Sequence, residues 1–418
     1  VFVGIHGFRF RFYPTPEQET LLRRTIGCTR LVWNKALGAR SERWKREKKS
    51  TNYGEQSATL SEWKKLPELA FLNEVSSVPL QQSLRHQRAA FKNFFEKRAR
   101  YPRFKKKSRG GSAEFTRSGF RFRYEDSQLT LAKMTGPLDI RWSRPLPPNA
   151  KPSTVTVTLD AANRWHVSFR CEDPAVKALP KVAQAVGIDL GLTNLATLST
   201  GEKIRNPRHA EREASRTRRL AQALSRTKKG SNNRYKARIK LARHHARVAD
   251  RRRDDLHKLT TRLVRENQVI CVETLNVMGM VKNRSLARAI SDAGWSLMLQ
   301  FLAYKCAWYG RSFVKVDRFH PSTRICHKCK FVLDELPLHI REWTCPGCEA
   351  VHDRDANAAI NILAAGLAVV GNDDVCGLDV RHLILRDQML SGMKQKTQGA
   401  IPWNPLPFRE GRMSRTLP

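Results

Sequence analysis

No stretch of this sequence approaches the ~18 consecutive apolar residues that a membrane-spanning helix requires. The opening VFVGIHGFRF lacks a basic region followed by a long apolar one, so no secretory signal is read there. Acidic side chains are scarce: 38 Asp and Glu stand against 77 Lys and Arg, a formal net charge of +39. A field of that sign attracts polyanions, nucleic acid first and an anionic membrane surface second. A basic structural component of a ribosomal particle would share it. Cysteine is also sparse, nine in 418 residues, with four in pairs and five scattered. That usage excludes a secreted disulfide framework and points to an intracellular metal site. Hydrophobic residues make up 40% of the chain, enough for at least one large core, and the length suggests two or three domains.

GFRFRFY (Gly7–Tyr13) alternates as a strand does and is closed by Pro14. Thr15, Pro16 and Gln18 then form a helix start, with Thr15 as the cap. Helical spacing continues to about residue 100, where the basic loop RYPRFKKKSRGG follows. From about 112 to 172 the period becomes two. GFRFRYE sets Phe120, Phe122 and Tyr124 on one face, for core packing or base stacking. A small antiparallel barrel or sandwich is expected, with the first strand belonging to it and the helices inserted. A very basic helical hairpin follows, its arms at roughly 207–227 and 234–267. Its apolar stripe reads Leu241, His245, Val248, Leu256, Leu259 and Leu263. The nearly uniform sign of its remaining charges favours contact with nucleic acid over a merely solvated face. A second stripe, Trp295, Leu299, Leu302, Cys306 and Tyr309, marks another helix.

Cys326, Cys329, Cys345 and Cys348 form C-x2-C-x15-C-x2-C. Each pair places two thiolates within reach of one ion, and four soft ligands suit a closed, structural zinc site. His320, His327, His339 and His352 lie nearby and read as peripheral. Cys28, Cys171, Cys271, Cys306 and Cys376 read as small apolar residues.

Three acids interrupt apolar segments. Asp189 lies in VGIDLG, Glu273 ends VICVE, and Asp355 begins a helix whose Ala359, Ile362 and Gly366 share its side. Buried carboxylates need compensation. Three meeting at one point would require cations, and two Mg²⁺ ions could there activate water and stabilise the leaving oxygen of a phosphodiester. Each acid has a plainer reading. Glu273 could be a surface acid at a strand end, and Asp355 or Asp353 could be a helix cap; Asp353 fits the cap better.

The order strand–acid, strand–acid, acid–helix, with a zinc ribbon before the last acid, resembles TnpB, the transposon-encoded RNA-guided DNA nucleases related to type V CRISPR effectors. GIDLGLTNLAT, VETLNV and DRDANAAINI are similar to that family's three RuvC motifs, and YPTPEQETLLRRTIGCTRLVWN to its N-terminal helical segment. The likeness runs from about residue 3 to 370. Lys330 and Glu349 stand where the family commonly has glycine, and PSTRIC where serine pairs are usual.

The resemblance implies an α/β RNase H-like (RuvC) nuclease domain at 181–320 and 352–371, interrupted by the zinc ribbon at 321–351. A β-barrel wedge domain would comprise 1–12 and 101–180, a helical recognition domain 13–100, and a disordered basic tail 372–418. It further implies catalysis by Asp189, Glu273 and Asp355 holding Mg²⁺, and one structural Zn²⁺. A guide RNA from the transposon end would pair with target DNA beside a short motif read by the protein, for which Tyr53, Ser57 and Gln81 are candidates. The setting would be a monomeric ribonucleoprotein in a prokaryotic cytoplasm, at the nucleoid. Two other readings stand beside it: a guide-independent RNase H-like nuclease or transposase, and a non-catalytic RNA-guided DNA-binding regulator.

Overall fold

The computed structural model describes residues 5–372 apart from 108, 109 and 175, so the expected C-terminal tail and Cys376 lie outside the described residues. The first strand, β1 (Ile5–Tyr13), alternates as its sequence dictates, burying Phe8, Phe10 and Phe12. Helix α1 (Pro16–Glu47) starts at a reciprocal cap: Gln18 N–H donates to Thr15 Oγ1 (3.3 Å) and Thr15 N–H to Gln18 Oε1 (3.1 Å). It packs with α2 (Tyr53–Trp63) and α3 (Ser77–Phe95) around Val32, Leu72, Leu80 and Leu84.

The chain then returns to the sheet that β1 began. Strands β2 (Gly111–Thr116), β5 (Asp139–Arg141), β6 (Thr154–Leu159) and β7 (Trp165–Glu172) join it in the order β2-β6-β7-β1-β5, antiparallel throughout. The three helices are thus an insertion between β1 and β2. A hairpin of β3 (Phe120–Arg123) and β4 (Gln128–Leu131) adds Leu129 and Leu131 to the same core, and Phe122 meets Phe169 at 5.4 Å. Phe120 and Tyr124 also pack there, so this aromatic face belongs to the core. The end strands β2 and β5 share no hydrogen-bonded ladder among the described residues, so the sheet is open and covered by the hairpin.

A second sheet follows. Strands β8 (Ala185–Asp189), β9 (Asn194–Leu198) and β10 (Lys203–Arg205) form an antiparallel meander, and β11 (Val269–Glu273) and β12 (Ser312–Val316) add on parallel to β8. The order is β10-β9-β8-β11-β12. Between β10 and β11 run α4 (His209–Arg212), α5 (Ala214–Ser225) and the long α6 (Asn232–Glu266). Short helices α7 (Val277–Met280) and α8 (Ala287–Ala293) lead to α9 (Trp295–Tyr309). After β12 come the two-stranded β13 (Glu342–Thr344) and β14 (Val351–Asp353), then α10 (Arg354–Asn372).

One face of this sheet packs on α6 and α9 through Leu256, Leu263, Trp295, Met298 and Leu302. Of the expected hairpin stripe, Val248, Leu256 and Leu263 are buried, Leu241 and Leu259 only partly bury, and His244 is buried in place of His245. His244 Nε2 lies 2.9 Å from Thr217 Oγ1 of α5, whereas His245 is partly exposed one residue further round. On α9, Leu299 and Tyr309 only partly bury, and Met298 and Phe301 carry the stripe with Trp295, Leu302 and Cys306. Asp292 accepts from Ala210 N–H (2.8 Å) and from Arg252 (2.6 Å), tying α8 to both α4 and α6. Among the described residues, no helix is long and apolar enough to cross a membrane.

The other face is covered by α10, and two glycines set its approach. A methyl group on Gly187 of β8 would lie 2.1 Å from Ala359 O and 2.7 Å from Leu363 N. One on Gly366 of α10 would lie 2.2 Å from Cys271 Sγ of β11. Gly187→Ala should therefore force helix and strand apart and destabilise the chain by ~1–3 kcal/mol or more. Gly38→Ala, where nothing lies within 4 Å, should instead raise stability through helix propensity. Urea unfolding of both variants checks this, and a Gly187→Ala protein as stable as wild type would contradict the packing argument.

Candidate active site and metal knuckle

Strand alternation aims two of the acids. Gly187 faces α10, so Asp189, two residues on, faces the same way. Cys271 contacts Gly366 of α10, so Glu273 shares that face on the neighbouring strand. The parallel register pairs Val272 with Ile188, which puts both acids at the same edge of the sheet. Asp355 lies one turn before Ala359, the residue seated over Gly187, and so reaches toward that edge.

The acids lie near enough for their charges to act on Asp189. Burial lifts Asp189 from the ordinary carboxylate value of 3.8 to about 7, and the charges of Asp355 and Glu273 add to it, while Arg354 and Arg341 partly oppose it. Burial also raises Glu273. Arg341 forms an ion pair with Asp355 at 3.3 Å.

Asp353 takes a different part. Its Oδ1 accepts from Ala356 N–H (2.9 Å), the bond of a helix cap, and Lys203 of β10 donates to its Oδ2 (2.6 Å). Burial alone would raise Asp353, but the Lys203 and Ala356 hydrogen bonds hold it below its ordinary value.

The four paired cysteines form one cluster, their sulfurs all within 4.8 Å of one another. Cys326 and Cys348 are 3.7 Å apart, and Cys329 and Cys345 3.5 Å. A tetrahedral ion with ~2.3 Å bonds to sulfur needs such spacings, so the cluster can hold one metal. Each knuckle closes by the same turn: Lys330 N–H donates to Cys326 O (3.0 Å) and Glu349 N–H to Cys345 O (2.8 Å). That turn puts Lys330 at φ 67° and Glu349 at φ 58°, the left-handed region that favours glycine. His352 Nε2 lies 3.0 Å from Cys326 Sγ, beside the cluster. His327 meets Asn357. Cys28, Cys171, Cys271 and Cys306 are buried singly.

Several residues that join these parts carry no motif signal. Asn357 and Asn361 lie on the side of α10 away from the sheet. Asn357 Oδ1 accepts from His327 N–H (3.0 Å), and its Nδ2 donates to Ile325 O (2.7 Å). Asn361 Nδ2 donates to Ser322 O (2.8 Å). Arg354 donates to Pro337 O (2.8 Å). Buried amides are the available signal, and it is weak in an alanine-rich helix. Tyr53 and Ser57 lie on α2 and the exposed Gln81 on α3; Arg85 stacks over the Tyr53 ring at 5.4 Å. These three share the helical insertion, apart from the acids in the fold.

A family profile described as "Probable transposase" matches residues 166–284, one described as "Cas12f1-like, TNB domain" matches 295–362, and one described as "Helix-turn-helix domain" matches 5–49. A Streptomyces pristinaespiralis protein named "Putative RNA-guided DNA endonuclease" is 58% identical over 90% of this chain and 91% of its own length. The chain belongs to the TnpB family. An Escherichia coli relative, "Putative RNA-guided DNA endonuclease InsQ", is 34% identical over 88% of this chain and 93% of its own. A mimivirus "TnpB-like protein L79" is 27% identical over 51% of this chain. The structure titled "Cryo-EM structure of the Cas12f1-sgRNA-target DNA complex" aligns at a TM-score of 0.51 and 13% identity, over 81% of each chain, a likeness of fold.

Two outcomes are expected of this TnpB chain. Lys330→Gly and Glu349→Gly should each relieve a left-handed backbone cost of ~1 kcal/mol, and slow metal loss to a competing chelator; faster loss would count against the strain. The second concerns pH without added divalent cation. Folded Asp189 holds its proton to about 7, whereas the unfolded chain releases it near 3.8. Its contribution to stability is therefore full below 3.8 and lost as pH rises through 7. Asp189→Asn should gain on wild type between pH ~4 and ~8 in urea unfolding, because it lacks that titration. A pH-independent difference would contradict it.

Proposed function

We propose that this chain is a transposon-encoded RNA-guided DNA endonuclease that hydrolyses phosphodiester bonds at Asp189, Glu273 and Asp355. What supports the reading is the register that sets Asp189 and Glu273 at the same ends of neighbouring strands, with Asp355 near enough that its charge, with that of Glu273, adds to the burial that lifts Asp189 to about 7. The names of the relatives that share most of this chain, RNA-guided DNA endonucleases, support the substrate and the guide. The sheet order, a meander of three strands extended by two parallel strands, supports an RNase H-like (RuvC) domain, and the open β1–β7 sheet with its helical insertion supports wedge and recognition parts. The net charge of +39 suits a guide–target duplex held through its phosphates.

The donor set fits divalent cations. Burial first, and then the charges of Asp355 and Glu273, disfavour the ionised form of Asp189, and a divalent cation beside these carboxylates would offset both. Magnesium ions held by Asp189, Glu273 and Asp355 would supply Lewis-acid stabilisation of the phosphate and a nucleophilic water. The chain's own groups do the rest. The β8 and β11 backbones hold Asp189 and Glu273 side by side, and the Asp353 cap with Lys203 fixes the start of α10, which carries Asp355. The four-cysteine cluster fits a structural zinc, since thiolates at these spacings leave no open position for chemistry.

Asp189→Ala, Glu273→Ala and Asp355→Ala should each abolish guide-programmed plasmid cleavage while RNA binding persists. Each removes one oxygen ligand from a cluster that acts as a unit, so the losses should not add. Asp353→Ala should be milder, a lost cap of ~0.5–2 kcal/mol. Cutting by Asp355→Ala but not by Asp353→Ala would exchange their roles, and cutting by all four would remove the acids from the mechanism.

A further inference from the structure

Phe319 is the most exposed aromatic side chain among the described residues that are large and apolar, at 76%, and its position is specific. The parallel register pairs Glu273 with Val316. Phe319 follows three residues beyond Val316, past the strand edge where the acids gather. A tight turn holds it there: Phe319 N–H donates to Asp317 Oδ1 (2.7 Å), and His320 N–H to Asp317 O (3.1 Å). The chain then crosses to α10, where Ser322 O accepts from Asn361. The turn is therefore anchored on one side by β12 and on the other by the helix that bears Asp355.

Exposure of a phenyl ring costs free energy that burial would recover. The next most exposed aromatic, Phe95 at 67%, belongs to a cluster with Phe91 and Phe94. Phe319 meets no other aromatic ring among the described residues. Its company is the guanidinium of Arg318, over the ring at 4.3 Å. An open aromatic face backed by a cation is the arrangement on which an unpaired base stacks while its phosphate is attracted.

We propose that Phe319 stacks a base of the single DNA strand being cut, beside the scissile phosphate, with Arg318 drawing the adjoining phosphate. The ring is a positioning group: it fixes the strand's register over Asp189, Glu273 and Asp355. A paired and stacked base offers no free face, so the ring selects a strand already separated from its complement. This rests on the reading of the three acids as the cutting site.

The test uses the full-length protein with its RNA. Wild-type products are sequenced to locate the cut, and 2-aminopurine is placed at successive positions around it in the target. In an Asp189→Ala background, which keeps the strand intact, one position should be quenched. Adding Phe319→Ala should abolish that quenching, and Phe319→Tyr should preserve it. In the otherwise wild-type protein, Phe319→Ala should slow cleavage about 5- to 150-fold, the effect of losing one stacked base, and Phe319→Tyr should restore it. Quenching that persists without the ring, or cleavage at the wild-type rate by Phe319→Ala, overturns the proposal. If Asp189→Ala alone still cuts, the fault lies with the acids, and the quenching repeated on a target with a non-hydrolysable linkage at the mapped cut position decides for or against the ring.

Discussion

The contact between α10 and β8 at Gly187 governs this molecule. Only a strand without a side chain lets the helix backbone come so close that a methyl group would lie 2.1 Å from Ala359 O. That approach brings Asp355 down to the edge where Asp189 and Glu273 end their strands. A larger residue would lift the helix and with it the third carboxylate. The glycine on the helix, Gly366 against Cys271, repeats the device two turns along and fixes the tilt as well as the distance.

Much of this could be read from the sequence because it depends on short-range periodicity. The alternation of β1, the reciprocal cap of α1 and the matched cysteine pairs are local patterns, and each has a local structural consequence. The three acids stood out because a carboxylate within an apolar run demands a reason. The choice of Asp353 as the cap followed from its place just before the helix, and its bond to Ala356 N–H is of that kind.

What escaped the sequence depends on chain partners far away. Whether His244 or His245 turns inward is decided by where Thr217 of α5 lies, and adjacent histidines offer helical periodicity no way to choose. Asn357 and Asn361 look like ordinary polar members of an alanine-rich helix; only the placed loop at Ser322–Ile325 gives them acceptors. The ladder order of the first sheet is likewise a long-range matter, since an alternating strand pattern suits a closed barrel and an open sheet equally.

Helix α10 thus has two working sides, one bearing Asp355 toward the strands and the other bound through Asn357 and Asn361 to the cysteine loop. A single rigid rod links the thiol cluster to the acid cluster, so an agent that strips the first also disturbs the seating of the second. On the proposed assignment of zinc to the thiols and magnesium to the acids, inhibition by a strong chelator would sum two lesions, one chemical and one architectural. Under that assignment, a thiol-selective reagent for the one site and graded magnesium for the other would have to be titrated apart before a loss of turnover could be ascribed to either.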